Sequence, residues 1–264
     1  PCPRRLLKGL RDRAVAPLRR GKVADMLLRS HAQSQKIRAV AVASAMAVGV
    51  GAALLAQQQN FDAVQEDVIH VRDGVYMLVG AGGNTTVMAG DDGVLVVDTQ
   101  FAPLSTKILN AIKSISDKPI RYVFNTHPHS DHTGGLPAMV AEGATIITQQ
   151  NNVLFFQRAL NTPRTLLTDS LAKNPKKAKV EGVGEKKVYS AGNRTVEFYH
   201  VPNAPHSNGL LFAYIPKEKV LFQGDFTVAP GQPANDHVKA LFPVLEKLNL
   251  DFDRYIPAHT AAAP

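Results

Sequence analysis

From about residue 68 onward the chain is a series of short apolar runs separated by glycine-rich or charged breaks, a spacing that suits strands better than long helices. Val75-Tyr76-Met77-Leu78-Val79 and Thr85-Thr86-Val87-Met88 flank Gly80-Ala81-Gly82-Gly83-Asn84, which predicts a hairpin with a glycine-rich connection. The glycines invite a phosphate-loop reading, but no Gly-Lys-Ser/Thr and no helical pattern follow. A mobile loop beside an active site is the favoured reading, and a structural turn the alternative. Asp91-Asp92-Gly93 leads into Val94-Leu95-Val96-Val97, an all-apolar buried strand that ends on the carboxylate of Asp98. Across residues 105–116, Ile108, Leu109, Ile112 and Ile115 form a helical stripe.

Asp117-Lys118-Pro119 then turns the chain into the strand Arg121-Tyr122-Val123-Phe124, and a short helix at 138–140 and a strand at 144–148 follow. Residues 151–179 are polar, lysine-rich towards their end and mixed in periodicity, as expected of a helical or lid insertion. Lys173, Lys176, Lys177 and Lys179 read as a solvated surface, with an anion-attracting patch as the alternative. Strands resume at Lys187-Val188-Tyr189, Thr195-Val196-Glu197-Phe198-Tyr199 and Leu210-Leu211-Phe212-Ala213-Tyr214. Strand–helix alternation followed by further strands predicts two sheets, each covered by helices, in an α/β (α+β) chain.

Composition changes this picture only at the front. Residues 1–38 carry eleven Lys/Arg and two Asp/Glu, whereas the rest carries nineteen and twenty, so the formal charge of +8 belongs to the leader. The remainder is near neutral, which argues against a nucleic-acid surface. Residues 39–56 are an apolar run rich in Ala, Val and Gly behind Lys36 and Arg38, the pattern of a secretory signal peptide, with a membrane anchor as the alternative. Met26 makes a more ordinary start than Pro1. The expected organisation is a basic extension at 1–25, a signal peptide at 26–56, a polar linker at 57–67 and the folded domain at 68–264. The expected location is the periplasm or the exterior, with membrane contact only through an uncleaved leader. Cys2 is the single cysteine and lies in the leader, so the domain has neither a disulfide nor a thiolate metal ligand.

The densest chemistry lies in Asn125-Thr126-His127-Pro128-His129-Ser130-Asp131-His132-Thr133-Gly134-Gly135. Three histidines and an aspartate fall within six residues, between a strand and a Gly-Gly pair expected to allow a tight turn before a helix. His127 and His129 point the same way from an extended segment and can grip one cation. Asp131 and His132 come where the chain turns and can face a second. This HPHSDH stretch resembles the His-X-His-X-Asp-His signature of the metallo-β-lactamase superfamily. The later pieces of that pattern stand in order: Ala204-Pro205-His206-Ser207-Asn208, Val220-Leu221-Phe222-Gln223-Gly224-Asp225 and Tyr255-Ile256-Pro257-Ala258-His259.

The resemblance covers about residues 68–259 and implies a four-layer αββα sandwich with its ligands on loops at one edge. It implies that His127, His129 and His206 hold one zinc, that Asp131, His132 and His259 hold a second, and that Asp225 bridges them. It gives Asp98 a bracing role behind the metal loop, with a helix cap as the bland alternative. Ser207 and Asn208 are expected as outer groups near metal or substrate, His200 as structural, and His237 as solvent-exposed, with a place at the substrate entrance as the alternative. Two adjacent dications lower the pKa of a bound water towards neutrality, and Asp131 is placed to orient it and shuttle a proton. The implied activity is hydrolysis of small esters, lactones or amides, with β-lactams possible and a phosphodiesterase or nuclease as the alternative. A non-catalytic metal-binding role is the alternative from another class. Where Asp225 stands, the β-lactamases of the family typically have a cysteine or serine; a bridging aspartate is more similar to the glyoxalase II, lactonases and phosphodiesterases of that fold, of which glyoxalase II is disfavoured. The expected partner is a small-molecule substrate, with no nucleic acid and no oligomeric state assigned.

Overall fold

Residues 60–166, 168–226 and 233–259 are described in the computed structural model, all within a unit that starts at Asn60. The basic extension, the apolar run and the first three residues of the linker lie outside the described residues. Among those described, no helix is long and apolar enough to cross a membrane.

The glycine-rich and Asp-Asp-Gly breaks do what the pattern predicts. β1 (Asp67–Arg72), β2 (Val75–Val79), β3 (Thr85–Gly90) and β4 (Gly93–Val97) form an antiparallel meander. β5 (Ile120–Phe124), β6 (Thr145–Gln149) and β7 (Val180–Val183) extend it with parallel pairings from β4 onward, giving seven strands in sequence order. Parallel neighbours need crossovers. These are supplied by α1 (Ser105–Ile115), then by the one-turn α2 (Ser130–Thr133) with α3 (Leu136–Glu142), then by α4 (Val153–Asn161) with α5 (Ser170–Lys173). The second sheet holds β8 (Lys186–Ala191), β9 (Arg194–His200), β10 (Leu211–Ile215), β11 (Val220–Phe222) and β12 (Arg254–Ile256), ordered β12-β11-β10-β9-β8. Its outer helix is α6 (Asp236–Leu248).

The layers follow from strand alternation. In β4, Val94 and Val96 face Ile108 and Ile112 of α1 and Met139 of α3, while Leu95 and Val97 face the second sheet. Between the sheets, Phe124 stacks on Phe198 with ring centroids 3.9 Å apart. Truncating either ring to alanine would cost about 3–5 kcal/mol. On the far face, Leu241 of α6 packs with Tyr199, Phe212 and Leu221. The αββα sandwich is therefore as expected, and residues 151–179 are helical in part. β1, β7 and α6 go beyond the predicted elements: β1 is largely exposed, and Pro243 interrupts the apolar register of α6.

Parallel pairing fixes where chemistry can occur. β5 and β6 run out at one end of the sandwich, as do β11 and β12, so the residues after each strand converge on the same edge. The opposite end is closed by charge. Arg194, at the head of β9, pairs with Glu218 in the β10–β11 turn, and donates to Asp73 at 3.1 Å and to the Ala89 carbonyl at 3.3 Å. These contacts tie the two sheets together.

Candidate metal centre

β5 delivers the metal loop. Beyond Phe124, the Asn125 N–H donates to the Ile147 carbonyl at 2.8 Å, and the Asn125 side chain donates to the His127 carbonyl at 2.7 Å, which locks the exit from the strand. His127 and His129 emerge side by side, with ring centroids 4.5 Å apart, and α2 presents Asp131 and His132. The Gly-Gly pair works differently from expectation. Gly134 and Gly135 hold ordinary helical angles (φ −59° and −82°), so no special turn requires them. A Cβ at Gly134 would overlap the Ala102 amide, and one at Gly135 would come 2.8 Å from the Thr99 carbonyl. They are glycines because the metal helix lies against the loop after β4. His206 comes from the β9–β10 loop, Asp225 from beyond β11 and His259 from beyond β12.

All seven expected ligands meet there, in two groups. His127, His129, His206 and Asp225 form one, and Asp131, His132 and His259 the other, with donor atoms within 4.8 Å of one another in each. Asp225 stands between them: Oδ2 lies 3.0 Å from His206 Nε2 and 3.4 Å from His127 Nε2. Its Oδ1 lies 3.2 Å from both His132 Nε2 and His259 Nε2. His132 Nε2 and Asp225 Oδ1 are buried, close, and yet misaligned, so neither has a hydrogen-bond partner. The Nε2 atoms of His206 and His127 also face each other at 3.1 Å. Orphaned polar atoms and converging lone pairs are costly in a buried site unless a cation takes them up. A nitrogen and oxygen donor set without sulfur fits zinc, and equally other first-row divalent ions. The residues fit the metal group.

The support behind the ligands is a short relay. Asp98, fully buried, accepts the Thr126 N–H at 2.8 Å and the Thr126 hydroxyl at 2.7 Å, and lies 2.8 Å from His132 Nδ1. The carboxylate must accept, so His132 carries a proton on Nδ1 and turns Nε2 to the cluster. The Thr126 hydroxyl spends its proton on Asp98 and so accepts from His127 Nδ1 at 3.0 Å, which fixes the same tautomer in the other group. Asp98 has φ +59°, a left-handed backbone that few residues adopt without cost. It braces and does not cap a helix.

Charge is unevenly shared in the cluster. Burial disfavours a charged His132, but Asp98 and Asp225 outweigh it and raise the imidazole to about 10. Contact with Asp225 raises His259. Burial opposes ionisation of Asp225, yet its contacts with His127, His132 and His259 hold the carboxyl far below the usual range. Burial and then His127 push His206 down to about 4, and the same two causes lower His129.

Other sequence expectations divide. His200 is structural, its Nε2 lying 2.9 Å from the Asn208 carbonyl. Ser207 accepts the Gly209 N–H at 3.4 Å, and Asn208 takes part through its backbone, so neither side chain hydrogen-bonds a ligand among the described residues. His237 differs from expectation. It is half-buried on the first turn of α6, with its ring 5.2 Å from that of His206. The alternative reading, a place at the substrate entrance, fits this position better than the solvent-exposed one. Thr126 and Gln100 were passed over; the adjoining motif, in Thr126's case, was the available signal.

The same picture emerges from known proteins. The sequence profile of the metallo-β-lactamase superfamily matches residues 78–259. The chain is 25% identical over 196 residues to the 2,4-dinitroanisole O-demethylase subunit alpha of Nocardioides sp. (strain JS1661), covering 72% of this chain and 56% of that protein. It is 24% identical over 171 residues to the atrochrysone carboxyl ACP thioesterase of Emericella nidulans, covering 64% of this chain and 48% of that one. The chain thus spans about half the length of these curated relatives. The class B3 di-zinc metallo-β-lactamase LRA-12 from an Alaskan soil metagenome shares the fold, with a TM-score of 0.55 at 15% identity, over 76% of this chain and 81% of that one. With a matching profile over most of its length and two donor groups that face one carboxylate, the chain belongs to the metallo-β-lactamase superfamily.

Proposed function

We propose that this chain is a dinuclear zinc hydrolase of small esters, thioesters, lactones or related amides bearing an apolar group, working outside the cytoplasm. The observation that carries the reading is Asp225, whose two oxygens each face a different group of imidazoles. His127, His129 and His206 would hold one ion and Asp131, His132 and His259 the other. Zinc, when bound, polarises the scissile carbonyl and acidifies water.

The chain's own residues supply the rest. Asp131 keeps one side open to solvent, and its Oδ2 lies 3.6 Å from His132 Nε2 and 3.5 Å from His259 Nε2. It can take a proton from attacking water and return it to the leaving group. Exposed apolar side chains lie on the edge of the sandwich where the strands β5 and β6 run out. Leu154 and Phe155, exposed by 65% and 56%, open α4 beyond the parallel strand β6, and Asn152 beside them donates to the Gly209 carbonyl near His206. Such a flank suits an acyl or aryl group. The thioesterase relative supports carbonyl chemistry of this kind. The apolar run at 39–56 behind a basic segment supports export.

The test is zinc analysis of the full chain together with turnover of an aryl ester, a thioester, a lactone, a cephalosporin and a phosphodiester. About two zincs per chain and chelator-sensitive acyl cleavage, lost in Asp131→Ala, are expected. Cleavage of the phosphodiester alone would overturn the substrate class, and absence of bound zinc would overturn the centre.

A further inference from the structure

The two donor groups share the Asp98 relay, but the second also leans on the glycine-rich loop. The Gly83 N–H donates to the Asp131 carbonyl at 3.0 Å. Gly82, with φ +92°, lies so close that an added Cβ would sit 3.0 Å from that carbonyl, and a Cβ on Gly83 would come 2.6 Å from the His132 ring. Asn84 secures the third ligand: its backbone N–H donates to the Ala258 carbonyl at 2.5 Å and its side-chain amide to Pro257 at 2.9 Å, just ahead of His259. Asp131, His132 and His259 therefore all rest on three consecutive residues. The first group takes its bracing from Thr126 instead.

The loop is itself latched from below by Gln100. Its Oε1 accepts the Ala81 N–H at 3.2 Å, and its Nε2 donates to Glu66 Oε2 at 3.0 Å and to the Leu78 carbonyl at 3.4 Å. The Gln100 carbonyl accepts the Gly134 N–H at 2.8 Å, immediately after the metal helix. One side chain thus ties the start of the glycine loop to the end of β2 and to Glu66, and its backbone holds the end of α2. Gln100 does this from a left-handed backbone, φ +49°. Glutamine gains nothing from that conformation, so the surrounding contacts must impose it.

We propose that Gln100, latched to Glu66, and Asn84 are positioning residues that set the second metal position through the glycine loop and leave the first position to its own supports. This rests on the dinuclear reading above. It predicts that the two zinc affinities can be separated by residues that touch no ligand side chain, because outer supports tune metal affinity by about 10–100-fold.

The experiment is competition titration of zinc against a chromophoric chelator on the full chain, for wild type, Gln100→Met, Gln100→Glu, Asn84→Ser and the exchange Glu66→Gln/Gln100→Glu. Wild type should bind two zincs. Gln100→Met and Asn84→Ser should each weaken the same one of the two zincs about tenfold or more and leave the other unchanged. The exchange restores a donor and acceptor between the two positions, and should recover most of the lost affinity where Gln100→Glu alone does not. Equal weakening of both zincs, or no recovery in the exchange, would overturn the proposal. Thermal melts of the zinc-free proteins keep the outcome clear: should Gln100→Met fail to fold, Asn84→Ser and the exchange still decide it. A wild type that binds fewer than two zincs would sink the dinuclear reading itself, a different result from any of these.

Discussion

Two buried clusters of charge close the two ends of the sandwich, and they follow different rules. At one end Arg194 and Glu218, with side chains 7% and 3% exposed, answer each other; Arg194 also reaches Asp73, and Arg72 donates to the Glu218 carbonyl. Little is left over beyond Glu218 Oε2, which has no partner. At the other end Asp225, 10% exposed, is surrounded by imidazoles, and the buried atoms Asp225 Oδ1 and His132 Nε2 go unbonded although they lie 3.2 Å apart. The first cluster neutralises itself with groups the chain carries. The second becomes satisfied only when a cation is added. A closed pair is architecture, and a cluster that needs a guest is a site.

The largest expected effect comes from removing the shared carboxylate. Asp225→Ala should abolish tight binding of both zincs, because each oxygen faces one group, and should lower ester turnover by about a thousandfold. The zinc-free variant should melt lower than the zinc-free wild type at neutral pH, since the imidazole contacts that hold Asp225 far below its usual range stabilise the fold through its charge. Zinc content and a melting curve check both halves. A variant that keeps both zincs would break the comparison.

The Arg194 clamp should show the opposite profile. Arg194→Met strands Glu218 and should cost about 3–5 kcal/mol of stability, while the folded fraction still binds two zincs. Replacing both partners, Arg194→Met with Glu218→Leu, should return most of that loss, because desolvation of the pair is removed along with its attraction. Chemical denaturation of the two variants measures this. A double variant as unstable as the single one would mean that the clamp is not self-contained.

Thr126→Val is a subtler test. It deletes the hydroxyl between Asp98 and His127 while keeping shape, so the His127 tautomer loses its fixing partner. Zinc affinity should fall about 10–100-fold with little change in fold stability. Unchanged affinity would show that Asp98 acts on His132 alone.

The unequal legibility of the two ends has a physical cause. Metal ligands are crowded in sequence because one loop must aim several side chains at one point, so His127 to His132 stood out at once, and the pattern shared with the superfamily located His206, Asp225 and His259. The clamp joins positions 24 residues apart through turns, where any single Arg or Glu looks like surface, and only burial shows otherwise. The helix that carries His237 escaped for a related reason: α6 brings it back beside His206, and Pro243 blurs the period of that helix. The glycines at 134–135 were visible, but their purpose was not, since close approach of another segment leaves no local trace. The Gln100 latch is a tertiary fact of the same kind.

A third carboxyl lies between the two rules. Glu66 is half-buried, its Oε2 takes a hydrogen bond from the neutral Gln100 amide, and its Oε1 has no partner. Burial raises it from 4.5 to about 7, and the Gln100 amide and the Lys107 ammonium offset only part of that. A folded-state value above the unfolded one means that protonation favours the fold. The contribution is fully present below about 4.5 and is lost as pH rises through about 7. Glu66→Gln keeps an acceptor for Gln100 and never ionises. It should match wild type near pH 4.5 and exceed it at pH 8, by about 1 kcal/mol once solvent screening is allowed for. Melting curves of the zinc-free protein across that range decide it. Parallel curves would mean that Glu66 finds its countercharge in the folded protein and belongs with Glu218; divergence would set it apart from Asp225, whose charge the imidazoles answer, as a half-buried carboxyl whose charge the fold leaves uncompensated.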